Sequence, residues 1–296
     1  MSSGMRLRTL RPHRGDGFKA IWFLAPSLVG FAVFYFIPFL LGIYESLTDG
    51  ALGGKFVGFA NYMELFRSGS FRKAASNTML FAGIGVPLLI ALSLLLAMLL
   101  NRPLYMRDWL RTSIMMPLVV PVASIVMVWQ IFFDWNGTLN ALLHRFHLAR
   151  IDWMQSNWSM SIIVVMYIWK NIGYNMILFL AGLQSIPRDY YETAAIEGAG
   201  RLHQFRHITM VYLTPTMFFV VLISIINSFK VFRETYLLAG DYPYDRLYML
   251  QHYMNNMFFT LDIQKLTAAA TIMVGCIVLL VSGLLGVERR FRDNVE

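Results

Sequence analysis

The chain of 296 residues is 57% apolar and only 14% charged, with a mean hydropathy of +0.55, whereas a soluble domain carries about 25% charged residues. The shortfall lies in long uncharged runs, which excludes a disordered, collagenous or coiled-coil chain and places the protein in a bilayer. The net charge of +8 comes from basic residues flanking those runs and not from a stripe with interleaved aromatics, so no nucleic acid is expected as a partner.

In chain order, Arg6, Arg8, Arg11, Arg14 and Lys19 lie in a polar tail, residues 1–19. The apolar run that follows, 20–44, far exceeds the roughly 7–15 residues of a signal-peptide core and precedes no small-residue cleavage site, so it reads as a retained anchor. Further runs cover 78–100, 114–133, 160–183, 211–232 and 267–287, and 288–296 form a second tail. Each run exceeds the roughly 18 residues that separate a spanning helix from a buried one. No repeat or linker divides the chain. The expected fold class is all-α, a polytopic membrane protein with six transmembrane helices in one domain, 20–287. With the N-terminus inside, fourteen Lys and Arg flank the cytoplasmic ends and eight the opposite ends. That bias predicts both termini cytoplasmic in a multi-pass membrane protein. Pro26, Pro38, Pro87, Pro117 and Pro121 each remove a helix hydrogen bond and are candidate kinks. Trp109, Trp135, Trp153 and Trp158 fit an interfacial aromatic belt.

The runs are as informative for what they lack. Cys276 stands alone, which removes a disulfide framework and any cysteine-based metal centre. All six histidines fall outside the runs, as do all Asp and Glu, so neither haem ligation nor proton coupling is expected. The chain has no GxxxxGK[ST] loop and cannot bind ATP that way. If the protein does work, the energy comes from a partner.

The segment between the fourth and fifth runs, 184–208, carries the most specific pattern. Pro187 can open a helix, Asp189 and Glu192 suit its positive end, and Gly198 and Gly200 can stop it. Ala194, Ala195, Gly198 and Ala199 leave a surface of little bulk that could seat in another protein, with Glu192 and Glu197 as charged contacts. From the residues alone, a loop helix packed on its own bundle is an equal alternative.

Glu192-Thr193-Ala194, then Glu197-Gly198-Ala199, Phe205, Ile208 and Pro215 resemble the EAA loop of ABC importer permeases, with matching spacing. Thr193 stands where Ala is usual, Glu197 where Asp is usual, and Met210-Val211 replace Leu-Pro. The chain is most similar to sugar-importer permeases of the maltose and glycerol-3-phosphate type. Phe56-Val-Gly-Phe-Ala-Asn-Tyr62, Leu100-Asn-Arg102, the stretch from Arg111 to Pro121, Gly137-Thr-Leu-Asn140 and the stretch from Phe179 to Pro187 fall in order where such permeases carry similar segments.

This resemblance implies a non-enzymatic permease subunit without a cofactor of its own, ATP and Mg residing on a cytoplasmic ABC ATPase dimer. It implies coupling to that ATPase through Glu192, Thr193, Ala194, Glu197, Gly198 and Ala199. Its other implied partners are a second homologous permease, an extracytoplasmic solute-binding protein and a sugar substrate. A secondary carrier and a membrane-embedded enzyme, either without an ATPase, are the alternatives.

A substrate path is expected where polar residues recur at membrane depth, because such groups are costly unless they face protein or a watery cavity. Tyr167, Lys170, Asn171, Tyr174 and Asn175 share one face of the fourth helix, and Ser224, Asn227 and Ser228 one face of the fifth. For any one Ser or Asn the competing role is helix-to-helix hydrogen bonding. Lys170 must find a cavity or a partner. Lys230, Arg233 and Glu234, at the outer end of the fifth helix, read as interfacial, snorkelling or paired.

Overall fold

The computed structural model describes residues 14–50, 53–103 and 105–293; the tail positions Arg6, Arg8 and Arg11 lie outside them. The described residues are helical almost throughout, apart from loops and one bridge between Thr48 and Phe56. The first run is α1 (Arg14–Phe31), a π-turn (Ala32–Phe36) and α2 (Ile37–Glu45). Pro38 at the start of α2 has no N–H to return to the preceding turn, and the widened turn takes up that mismatch. A short α3 (Ala60–Arg67) leads into α4 (Gly69–Leu100), the second span.

The third run departs from a single span. α5 (Arg107–Val119) ends at Val120, and the helical stretch that begins with α6 (Val122–Phe133) and continues into α7 (Thr138–Arg145) leaves at 99°. Val120 is extended, at φ −70° and ψ 135°, because Pro121 crowds the helical conformation of the residue before it. Pro117, by contrast, sits inside α5, and Pro26, Pro87 and Pro215 sit inside other helices.

The fourth run is α8 (Ser159–Gln184), followed by α9 (Arg188–Ile196), α10 (Arg201–Gln204) and a π-turn (Phe205–Thr209). The fifth is α11 (Met210–Ser228), which breaks at 229–231 and resumes as α12 (Phe232–Ala239). α13 (Leu250–Phe259) precedes the last span, α14 (Ile263–Asp293), which runs on through the start of the expected C-terminal tail. Five helices are individually long and apolar enough to cross a membrane, and six spans result when the bent third run counts as one.

α4 and α8 form the centre. The buried positions Phe71, Ala74, Thr78, Phe81, Gly85, Leu89, Ser93, Ala97 and Leu100 recur every three or four residues of α4 and trace one stripe. The opposite face of α4 is equally apolar but exposed, as at Met79, Leu88, Leu95 and Leu99, which suits lipid. Small residues on the stripe let the backbones approach where lipid supplies no hydrophobic drive. Phe81 meets Tyr167 edge-on at 5.2 Å near one end, and Leu100 joins Leu183 in a core near the other, so α4 and α8 run parallel. α11 and α5 run antiparallel to α8, with Leu213 beside Gly182 and Ile114 beside Gly173. Gly42 meets Thr267, which sets α14 antiparallel to α2. Successive runs therefore alternate in direction, with the 185–209 segment at one end of the bundle and 229–262 at the other.

α3 and α13 pack with α14 around Leu65, Leu250, Tyr253 and Ala268 at that second end. His252 is fully buried there, edge-on to Phe232 at 4.9 Å, with Nδ1 accepting from the Met249 N–H and Nε2 unpartnered. Burial pushes its imidazole down to about 4 from an ordinary 6.5, against a weaker upward pull from Asp241. A depressed folded-state value means that the unfolded chain binds the extra proton. The stability contributed is complete above pH 6.5 and falls as pH drops from 6.5 through 4, by about 2–3 kcal/mol. Thermal unfolding in detergent across this window is expected to show the loss, and His252→Gln to flatten it.

Candidate functional site

At the 185–209 end, Pro187 is the N-cap of α9 and Asp189 sits in its first turn. The helix closes with Gly198 N–H donating to Ala195 O (3.1 Å) and Ala199 N–H to Ala194 O (2.8 Å), the paired bonds of a Schellman ending. Gly198 has φ +83°, and a Cβ there would meet nothing within 4 Å. Its glycine is required by backbone conformation and not by crowding within the chain. Tyr191 points inward, bonding Thr209 through hydroxyls 2.9 Å apart and packing with Ile208 on the core around Leu183 and Ile186. Ala194 and Ala199 are half-buried on the same side, while Glu192, Thr193, Glu197 and Gly198 are exposed. Ile196 is 88% exposed at the tip, a bulky apolar residue added to the small surface expected from the alanines and glycines. The segment is a rigidly mounted helix turn whose outer face carries two carboxylates and one isoleucine.

Toward mid-membrane, the candidate path residues divide into two groups. Tyr167, Asn175, Ser224 and Ser228 are buried. Tyr167 donates to the Ser224 carbonyl and Asn175 to the Ser224 hydroxyl, each at 2.8 Å, so these groups join α8 to α11. Ser228 turns its hydroxyl to its own helix at Ile225 O (2.7 Å), and Tyr174 is half-buried. Lys170, Asn171 and Asn227 instead line a cavity of about 270 Å³, bounded also by Tyr167, Lys230, Arg233 and Glu234. Lys170 lies eleven residues along α8, about 16 Å from its start at 1.5 Å per residue, close to the helix midpoint.

Lys170 and Glu234 form an ion pair across that cavity, with side-chain exposures of 19% and 8%. The lysine thus has both the cavity and the partner its position demanded. Glu234, expected to be interfacial, snorkelling or paired, stands two positions past the fifth apolar run, and its partner is Lys170. After the 229–231 break the chain continues as α12 within one candidate span, Arg201–Ala239, and Glu234 meets α8 through the Lys170 side chain. Lys230 and Arg233, expected to be interfacial, snorkelling or paired, also line the cavity wall. The bend at Pro121 contributes Leu118 and Val122 from its two sides. Non-helical backbone at membrane depth is tolerated where it borders such a cavity. Among the described residues no cluster of three or more His, Cys, Asp or Glu could hold a metal ion.

A family model described as "Binding-protein-dependent transport system inner membrane component" matches residues 89–292. The chain is 32% identical over 267 residues to the sulfoquinovosyl glycerol transport system permease protein of Agrobacterium fabrum, covering 88% of this chain and 86% of that one. It is 32% identical over 219 residues to the lactose transport system permease protein of Rhizobium radiobacter, covering 72% and 74%. Its fold matches a chain of a bacterial ABC transporter that imports the acidic polysaccharide alginate, with a TM-score of 0.81, 23% identity, and coverage of 93% and 98%.

Proposed function

Because the chain belongs to the family of binding-protein-dependent transport system inner membrane components, we propose that it moves its substrate through the Lys170–Glu234 cavity and couples to a cytoplasmic ATPase through α9. It is a multi-pass inner-membrane permease component of an ABC-type importer for a sugar or oligosaccharide, itself non-catalytic. Its assembly contains an ATPase and a solute-binding protein; a second permease and an ATPase dimer complete it in this reading.

The observation that carries the proposal is the placement of two polar features in an otherwise apolar bundle, the exposed α9 turn at one end and the cavity near the middle. A conformational change needs a partner with different affinities for two states. Glu192, Thr193 and Glu197 offer charged and polar contacts on a helix that Tyr191 fixes to the bundle, so a push on α9 reaches α8 and α11. Ala194, Gly198 and Ala199 set the turn that presents them. Lys170, Asn171 and Asn227 supply the hydrogen-bonding groups of the path, while Tyr167, Tyr174, Asn175, Ser224 and Ser228 hold its wall.

Glu192→Lys tests the coupling without touching the core. In the intact importer it is expected to lower both ATPase co-purification and sugar uptake about tenfold, the effect of reversing one interfacial charge. Thermal unfolding of the permease should not change. Unaltered association and uptake would sink the coupling role. Gly198 is a poorer probe, since any side chain at φ +83° strains the helix ending itself.

A further inference from the structure

Resting on that reading of the cavity, we propose that it selects anionic glycosides over neutral ones. Three cations and one carboxylate line it, and Lys170 is already taken by Glu234. Lys230 and Arg233 remain, with no ion pair among the described residues. Both also line a second, largely open groove of about 540 Å³, so the two unpaired cations stand where cavity and groove adjoin. That groove adds Phe232, Phe258 and Gln251, aromatic faces and an amide suited to a sugar ring.

Two further features have the same sign and chemistry. α6 begins at Val122 on the wall of the first cavity, and the start of a broken helix at membrane depth favours negative charge. Glu234 Oε2 is buried with no hydrogen-bond partner, so the site is incomplete without a donor. Chloride has no hydroxyl to offer it, whereas an acidic sugar brings several hydroxyls and a negative charge together. Excess positive charge near the membrane interior is costly unless water, a partner or a ligand answers it, and an anionic glycoside answers it during passage.

Glucose and glucuronate, which differ only at C6, are the probes, applied to the intact importer in nanodiscs of zwitterionic lipid. Glucuronate is expected to bind on the order of tenfold more tightly than glucose, the value of one charged hydrogen bond. That preference should weaken with added salt. The double variant Lys230→Gln, Arg233→Gln should erase it, so that the two sugars bind alike, with the single variants and thermal unfolding confirming that the bundle is intact. Equal binding of the two sugars, no glucuronate binding, or a preference that survives the double substitution overturns the inference. The last result would assign the two cations to lipid headgroups or to acids of another subunit. ATP-driven uptake of a neutral carbohydrate by the unmodified importer, with no anionic preference, would overturn this inference alone. Failure of the intact importer to take up any carbohydrate would instead overturn the permease reading beneath it.

Discussion

Gly173→Ala is expected to destabilise the folded bundle by more than about 3 kcal/mol, at or beyond the upper end of ordinary overpacking. A Cβ on Gly173 would lie 2.3 Å from the Ile114 carbonyl oxygen and 2.8 Å from Met115 Cα. Both are backbone atoms of α5, so no rotamer change relieves the contact. The helix would have to move away from α8, and it carries one side of the Pro121 bend that borders the cavity. Gly83→Ala on α4, where a Cβ meets nothing within 4 Å, is the matched control and should be neutral or slightly stabilising through helix propensity. Thermal unfolding of the two variants in the same detergent decides the matter. Comparable melting temperatures would show that α5 rests on α8 more loosely than the geometry states.

The second large effect concerns the ion pair. Glu234→Gln is expected to cost about 3–5 kcal/mol, because it leaves the Lys170 ammonium uncompensated in a nearly buried place. Lys170→Met should cost a similar amount by stranding the carboxylate, whose Oε2 is already without a partner. The double variant, with methionine at both positions, should recover much of the loss, since replacing a buried pair by apolar groups of similar size is often nearly neutral. A cycle of unfolding free energies measures the coupling. If the single losses simply add, the two groups do not interact in the membrane. Transport separates stability from use, since a refolded but inactive double variant would show that the pair serves the path and not the bundle.

The spans were legible because a bilayer imposes a length and an apolar composition that any window detects. The bend at Pro121 was legible only as a proline. What made it a 99° break was the extended backbone of Val120 and the cavity beside it, neither of which hydropathy registers. The short helices α3, α7 and α13 escaped because amphipathic segments of eight to ten residues fall below any spanning threshold. In the site, periodicity put Lys170, Asn171 and Asn175 on one face correctly, but it could not divide that face. Asn175 bonds across to Ser224, while on the cavity wall Lys170 pairs with Glu234 and Asn171 donates back to the Tyr167 carbonyl. Glu234 was read as interfacial, snorkelling or paired, and what stayed hidden was its partner. A residue two positions past an apolar run carries no sign that the helical path runs on through Ala239 beside Lys170. Gly173 likewise looks like any helix glycine until the α5 backbone is seen against it.

The first span touches the rest of the bundle mainly where Gly42 meets Thr267, and the neighbouring Glu64 pairs with Lys265 at 2.9 Å. Both contacts join residues about two hundred positions apart. During synthesis, therefore, these two contacts form only after the final helix has left the ribosome, and until then the first span is held at its end by Asn61 and Tyr62 of α3, which bond Ser46 and Thr48. A nascent chain stalled before residue 263 would hold the α4–α8–α11 centre with its first helix tethered at one end alone.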